Sequence, residues 1–263
     1  MRTRNRIHIY KIPYIINSYI NFIRTIYIFY LLYINNIEDE KIFYTEKEII
    51  RRLYSISYVF HDLMIKHHIP YYASSGTLLG VMRHKGIIPW DNDADFCISI
   101  TNEMNFLSTD VKKSFDKNGY RIEKSINGWY RISDKKYKKV SVDVFFVEYI
   151  KDKKSGEWFS QHTGKAFDFW PNERIRVKDL FPLKERSFGS GIILTPNRPE
   201  KSLTLFYGKS WKKVGYITMD PDEHLDLDEP IKLKVSRFTA AKPFYYKKQI
   251  HLDKTDPYLE GRV

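Results

Sequence analysis

The chain of 263 residues contains a single cysteine, Cys97. An intrachain disulfide is therefore excluded, and so is any zinc site built from several thiolates. No Asn-x-Ser/Thr glycosylation acceptor occurs anywhere in it. A Walker-type phosphate loop is also missing, because Gly76 and Gly80 lack the spacing and the Lys-Ser/Thr pair that must follow. Long hydrophobic runs are scarce. The uninterrupted apolar stretch at residues 26–34 would measure about 14 Å as helix, against a bilayer hydrocarbon core of about 30 Å. Extending it backwards takes in Arg24, Asn21, Ser18, Asn17 and Pro13, and an arginine at mid-bilayer costs about 2.5 to 3.5 kcal/mol. No small-residue cleavage site follows, which argues against a secretory signal peptide. Even so, residues 12–37 lie between Arg2, Arg4, Arg6 and Lys11 on one side and Glu38, Asp39 and Glu40 on the other, the layout of an N-terminal anchor with its basic end in the cytoplasm. Two readings stay open: membrane association through residues 12–37, or an interfacial or core-packed helix in a cytoplasmic protein.

What is present is a core and an excess of positive charge. Apolar residues make up 43% and aromatic residues 16% of the chain, which excludes a disordered protein. Lys and Arg number 44 against 32 Asp and Glu, a formal net charge of +12. Such a surface attracts anions at long range without selecting among them.

From Thr45 the pattern becomes regular. Thr45 with Glu48 predicts a capping box, and Ile49, Leu53, Ile56, Phe60 and Leu63 recur at helical spacing until Pro70. His61, His67 and His68 read as surface or helix-end residues without the spacing of a metal site. Tyr71, Tyr72 and Ala73 then predict a short strand running into Ser74, Ser75, Gly76 and Thr77. A glycine directly after a strand lets the backbone turn sharply and bring its N–H groups close to a ligand such as phosphate.

The aspartates carry the chemistry. If residues 91–100 are extended, Asp91, Asp93 and Asp95 share one face and Phe96, Ile98 and Ile100 the other. Carboxylates so close repel one another unless a cation or arginines neutralise them, and a set of oxygen ligands suits a hard ion such as Mg²⁺ or Mn²⁺. A calcium loop of the EF-hand kind is excluded, because its glycine position holds Phe96 and its final glutamate position Asn102. Further along, Asp143 interrupts the apolar strand pattern from Val140 to Val147, where a buried ion needs a partner or a metal. Arg83, His84 and Lys85 lie between the glycine turn and the aspartates. Arg83 is the preferred phosphate contact, since a planar guanidinium matches phosphate better than an ammonium does. Trp90, Trp129 and Trp211 read either as core or as surfaces on which a nucleobase stacks. Glycine and proline punctuate residues 181–199, which predicts strands and loops on the acceptor side of a cleft.

A helix, a strand, Gly76-Thr77, the Asp93-Ala94-Asp95 cluster and a later strand carrying Asp143 together resemble the nucleotidyltransferase fold. The finer match, SSGTLLGVMRHKGIIPWDNDADFCI with the downstream VDVFFV and a Tyr-Gly-x-x-Trp motif at Tyr207, Gly208 and Trp211, is similar to the LicD/fukutin-type family. That resemblance implies an α/β (α+β) protein with a mixed sheet and flanking helices, and transfer of a phosphorylated alcohol, such as phosphocholine or ribitol phosphate, from a CDP-linked donor to a glycan hydroxyl with Mg²⁺ or Mn²⁺. By position, Asp93, Asp95 and Asp143 are then the metal ligands, with Asp91 beside them in the catalytic set. Gly76, Thr77, Arg83, Lys85 and Trp90 are the substrate-binding set. The expected organisation is an N-terminal basic and apolar segment (residues 1–40), one catalytic domain (residues 41–219) and a C-terminal extension (residues 220–263) whose role the sequence leaves open. Two other functions use the same residues: a nucleotidyltransferase acting on nucleic acid, against which stands the absence of a recognisable RNA-binding module, and a basic binding protein that kept the scaffold without activity. No nucleic-acid partner is expected.

Overall fold

The computed structural model describes residues 44–221 and 225–261, so the anchor reading of residues 12–37 lies outside the described residues. Among the described residues no helix is long and apolar enough to cross a membrane.

Helix α1, Lys47–Lys66, is organised by its apolar stripe. Ile49, Leu53, Ile56, Phe60 and Leu63 are all buried, as the periodicity requires. Its start differs from the expectation. Thr45 does not cap the helix; its hydroxyl donates to the Asp91 carbonyl at 2.9 Å, while Glu48 pairs with Arg51 and Arg52 on the helix surface. The helix starts one residue later than the capping box requires, with Glu46 at the N-cap, so Thr45 stands outside the capping position. His61 also departs from the surface reading, being fully buried between the Tyr71 hydroxyl and the Ile250 carbonyl, each at 2.8 Å.

The helix lies on a mixed sheet. Strand β1, Tyr71–Ala73, pairs antiparallel with β2, Asp95–Ser99, and β2 pairs parallel with β5, Ser141–Lys151. Antiparallel neighbours β4, Tyr130–Asp134, and β3, Tyr120–Lys124, continue on one side of β5. The distal half of β5 pairs instead with β6, Trp158–His162, which pairs with β7, Arg174–Arg176. Residues Val142 to Val147 of β5 are buried on both faces, as befits a strand inside a covered sheet. Phe60 of α1 stacks on Phe96 of β2 with centroids 4.5 Å apart and Tyr71 meets Phe60 edge-on, which fixes the sheet against the helix.

The remaining elements follow in chain order, and the helix after β1, the last helix and the last hairpin among them line the cleft. Helix α2, Ser75–His84, follows β1 directly. Helix α4, Thr109–Lys117, leads into β3 after the short α3, Glu103–Phe106. After β6 come the short helices α5, Gly164–Phe169, and α6, Val177–Leu180. Hairpin β8–β9, Lys184–Phe188 and Gly191–Thr195, is anchored by buried tyrosines: Tyr58 donates to the Phe188 carbonyl and Tyr71 accepts from Leu194 N–H. Helix α7, Glu200–Tyr207, precedes a second hairpin, β10 at Val214–Asp220 and β11 at Leu225–Lys234. Residues from Tyr44 to the C-terminus, including the extension after residue 219, belong to one compact unit.

Candidate active site

The extended run expected over residues 91–100 is shorter than its periodicity suggests. Only Asp95–Ser99 is strand, Asp91 to Ala94 form the approach to it, and Ile100 opens a 3₁₀ turn. What the strand does provide is register. Asp95 of β2 stands opposite Asp143 of β5, and Asp143 stands opposite Arg131 of β4. Side chains directly across adjacent strands share a face, so the sheet carries the row Asp95, Asp143, Arg131.

The glycine turn is a helix start. Ser75, with φ 44°, carries the left-handed conformation, and Gly76 is already helical. A Cβ at 76 would lie 2.9 Å from Asp91 Oδ2, so any other residue there must displace the Asp91 carboxylate. Thr77 is buried and points inward: its Oγ1 accepts the Asp95 N–H at 2.8 Å. It therefore positions the aspartate loop and is not placed to line a substrate cavity.

Asp91 and Asp95 are both held well above the usual carboxylate range, by burial first and then by the charge of Asp93. At Asp95 the charges of Asp91, Asp143 and Glu173 add to this. Asp143 is treated differently. Trp129 Nε1 donates to its Oδ2 at 2.8 Å, and Arg131 donates from Nε to Oδ1 at 2.9 Å and from Nη2 to Oδ2 at 3.4 Å. The sequence calls for a cation or arginines to neutralise these carboxylates; for Asp143 the structure supplies an arginine. Accordingly, no three metal-capable side chains among the described residues are already gathered as a ligand set. The donor chemistry still fits a hard divalent ion, since oxygen ligands from several carboxylates meet here and two of them are raised by burial and by the neighbouring charge of Asp93, both of which a bound cation would offset.

Beside the carboxylates opens a cleft of about 600 Å³, lined by Gly76, Arg83, Trp90, Asp91, Asp93 and Tyr207 and by hairpin β10–β11 through Tyr216, Thr218 and Met219. Arg83 is half-buried in its wall, where Nη1 donates to the Trp211 and Val214 carbonyls at 3.2 Å and burial lowers its pKa to about 10. Trp90 donates from Nε1 to the Tyr216 carbonyl at 3.1 Å and so joins the hairpin to the site loop. Lys85 does not line the cleft: it is exposed at the end of α2 with φ 66°, and its carbonyl accepts from Gly189. Trp211 is no stacking surface, being 3% exposed and packed with Leu78, Leu79, Ile88 and Leu203. The segment 181–199 does not line the cleft; hairpin β10–β11 takes the place expected of it.

Several residues of the site carry no local signal in the sequence. Arg131 and Trp129 reach Asp143 only through strand pairing. Glu173 accepts from Ser75 Oγ at 3.0 Å, with His162 Nε2 at 3.6 Å. For Arg131, alternation within β4 would have been the available clue, since it places Arg131 and Ser133 on one face.

Residues 68–198 match the family described as LicD/FKTN/FKRP, nucleotidyltransferase domain. This stretch belongs to the LicD family. An uncharacterised protein of Rickettsia typhi is 32% identical over 66% of the chain, and the match spans 50% of that protein. The LicD lipopolysaccharide cholinephosphotransferase of Haemophilus influenzae is 53% identical over 36 residues, 14% of each chain. Human ribitol 5-phosphate transferase FKRP is 25% identical over 53% of this chain and 28% of its own. The matched LicD domain contains β2, β5, the aspartate loop and α2, whereas the hairpin β10–β11 lies beyond it.

Proposed function

We propose that this protein is a divalent-metal-dependent phosphotransferase that moves a phosphorylated alcohol from a CDP-linked donor to a hydroxyl of a glycan or glycoconjugate. The observation that carries the reading is the in-register pair Asp95 and Asp143 on adjacent parallel strands, with Asp91 and Asp93 at the mouth of a cleft whose wall holds Arg83. Relatives named as cholinephosphotransferase and ribitol 5-phosphate transferase support the substrate class.

Asp93, Asp95 and Asp143 would hold Mg²⁺ or Mn²⁺, which when bound neutralises the charge of the donor phosphates. Thr77 and the β2–β5 ladder fix Asp95 before substrate arrives, the positioning on which phosphoryl transfer chiefly depends. Arg83 supplies positive charge in the cleft wall, and Trp90 with Tyr216 presents aromatic surface to the donor. The acceptor oxygen bonds to the phosphorus next to the alcohol, the bond from that phosphorus to CMP breaks, and the hydroxyl proton leaves to a carboxylate of the site. A panel of CDP-alcohols assayed for Mg²⁺-dependent CMP release with a glycan acceptor tests the reading. One donor is expected to be consumed, with turnover abolished by EDTA and restored by Mg²⁺; labelled nucleotide entering RNA without CMP release would overturn it.

A further inference from the structure

A cation that belongs to the protein already occupies the side chain that the metal reading needs. Arg131 stands between Glu123 on β3 and Asp143 on β5 in the cross-strand register, so charges of alternating sign run across the sheet towards Asp95. Two facts separate Arg131 from a buried structural ion pair. Its side chain is 45% exposed while that of Asp143 is 11% exposed, so the cation faces the open side and the carboxylate the closed one. It also spends only Nε and Nη2 on Asp143, and a guanidinium has five N–H donors in a planar fork.

We propose that Arg131 is a two-position phosphate ligand: it neutralises Asp143 before metal binds, and turns its guanidinium onto a phosphate of the nucleotide donor once Asp143 ligates the ion. This deepens the phosphotransferase reading and rests on it. The exchange follows from charge. Asp143 cannot keep Arg131 on both oxygens and also serve a divalent ion, because the two cations repel at such short range. Trp129 Nε1 is neutral and can stay on Oδ2, so Asp143 keeps its direction while Arg131 leaves. The departing guanidinium remains in the field of Asp93, at the carboxylates where the donor phosphates are to be held. Both ends of the exchange are built on the paired strands β4 and β5, so side-chain rotation alone accomplishes it. Metal entry and phosphate capture are thereby coupled: each ion delivered to Asp143 releases one phosphate ligand.

The test uses the full chain, with Mn²⁺ binding read by water-proton relaxation in the absence of nucleotide and CDP binding read by calorimetry at saturating Mn²⁺. Arg131→Gln is expected to bind Mn²⁺ about tenfold more tightly than the parent and CDP about tenfold more weakly, within the usual span of site coupling. Arg131→Lys keeps the charge without the fork, so Mn²⁺ affinity should stay near that of the parent while CDP binding weakens. In an Asp143→Asn background the Mn²⁺ gain from Arg131→Gln should disappear. Unchanged or weaker Mn²⁺ binding in a folded Arg131→Gln protein, or unchanged CDP binding, overturns the proposal. A parent protein that binds neither Mn²⁺ nor CDP overturns the phosphotransferase reading instead, whereas a parent that binds both, with Arg131 variants that match it, removes only the role of Arg131.

Discussion

The two sides of the cleft are made of different material. On one side Asp91 and Asp93 line it on the approach to β2, next to Asp95 and Asp143, which stand on strands in the middle of the mixed sheet, inside the segment that matches the LicD family. Opposite them is a two-stranded ribbon, β10–β11, beyond that segment, with its register shifted between Ile217 and Met219 and much of its surface exposed. A lone hairpin is marginal in water, so this one depends on its tethers. Trp90 holds the Tyr216 carbonyl, Arg83 the Val214 carbonyl, and Asn92 Nδ2 the Pro221 carbonyl at 2.6 Å. Under the proposed function the contrast would separate chemistry from recognition: the charges rise from a covered sheet, and the other wall of the cleft hangs from it by a few hydrogen bonds.

The sharpest way to break that comparison is to disarm the sheet side. Asp95→Asn and Asp143→Asn are each expected to lower kcat/KM by about a thousandfold or more, with circular dichroism unchanged. Turnover near the parent value in either folded variant would remove the sheet from the chemistry. A smaller effect is expected at Gly76, where an added Cβ would meet Asp91 Oδ2 at 2.9 Å. Gly76→Ala should lower kcat by about 10- to 100-fold through displacement of the aspartate loop, as misplacing reacting groups by a fraction of an ångström does. Loss of the same size in a variant whose Asp91 has not moved in a crystal structure would refute that cause.

Substitutions on the ribbon should behave otherwise. Tyr216 and Met219 line the cleft from the ribbon, on a different sheet from the in-register carboxylate pair. Their replacement by alanine is expected to raise KM for the donor by about tenfold and to leave kcat within about threefold, the pattern of lost uniform binding. If kcat fell as steeply as in Asp143→Asn, the division of labour between the two sides would be wrong.

The sheet side was also the legible side, for a physical reason. Asp143 announces itself because an ionisable residue in an apolar strand needs a partner, and Asp93 with Asp95 because a two-residue spacing keeps carboxylates together. For Arg131 alternation gives the face but not the partner, since nothing local in Arg-Ile-Ser-Asp says which strand it will pair with. At Thr45 the capping signal is off by one position: Glu46 takes the N-cap, and the Thr45 hydroxyl donates to the Asp91 carbonyl instead. The substrate wall was sought at residues 181–199 because turn residues mark loops, yet the buried tyrosines of α1 and β1 claim that hairpin for the core. The ribbon alternates, with Leu227, Ile231 and Leu233 on its less exposed face, yet even that face stays half-buried, so the pattern does not say what it covers.

The joint between the two sides supplies the mildest test. His84 is 5% exposed, its Nε2 accepts from Arg83 Nε at 2.8 Å, and its Nδ1 lies 3.2 Å from the Phe238 carbonyl just after the ribbon. Accepting from a guanidinium at Nε2 places the proton on Nδ1, the neutral tautomer that donates to Phe238. Burial, with the charge of Arg83 beside it, lowers the imidazole pKa to about 4. Its unfolded value is near 6.5, so between about 4 and 6.5 the unfolded chain binds the extra proton and stability rises with pH. The contribution is complete above about pH 6.5 and is lost as pH falls towards 4, an effect of at most about 3 kcal/mol. A protonated ring can no longer accept from Arg83, so acidification should slacken the ribbon before it unfolds the sheet. In chemical-denaturation series across that range His84→Gln should flatten the stability slope; a slope identical to that of the parent would show that the joint does not respond to this proton.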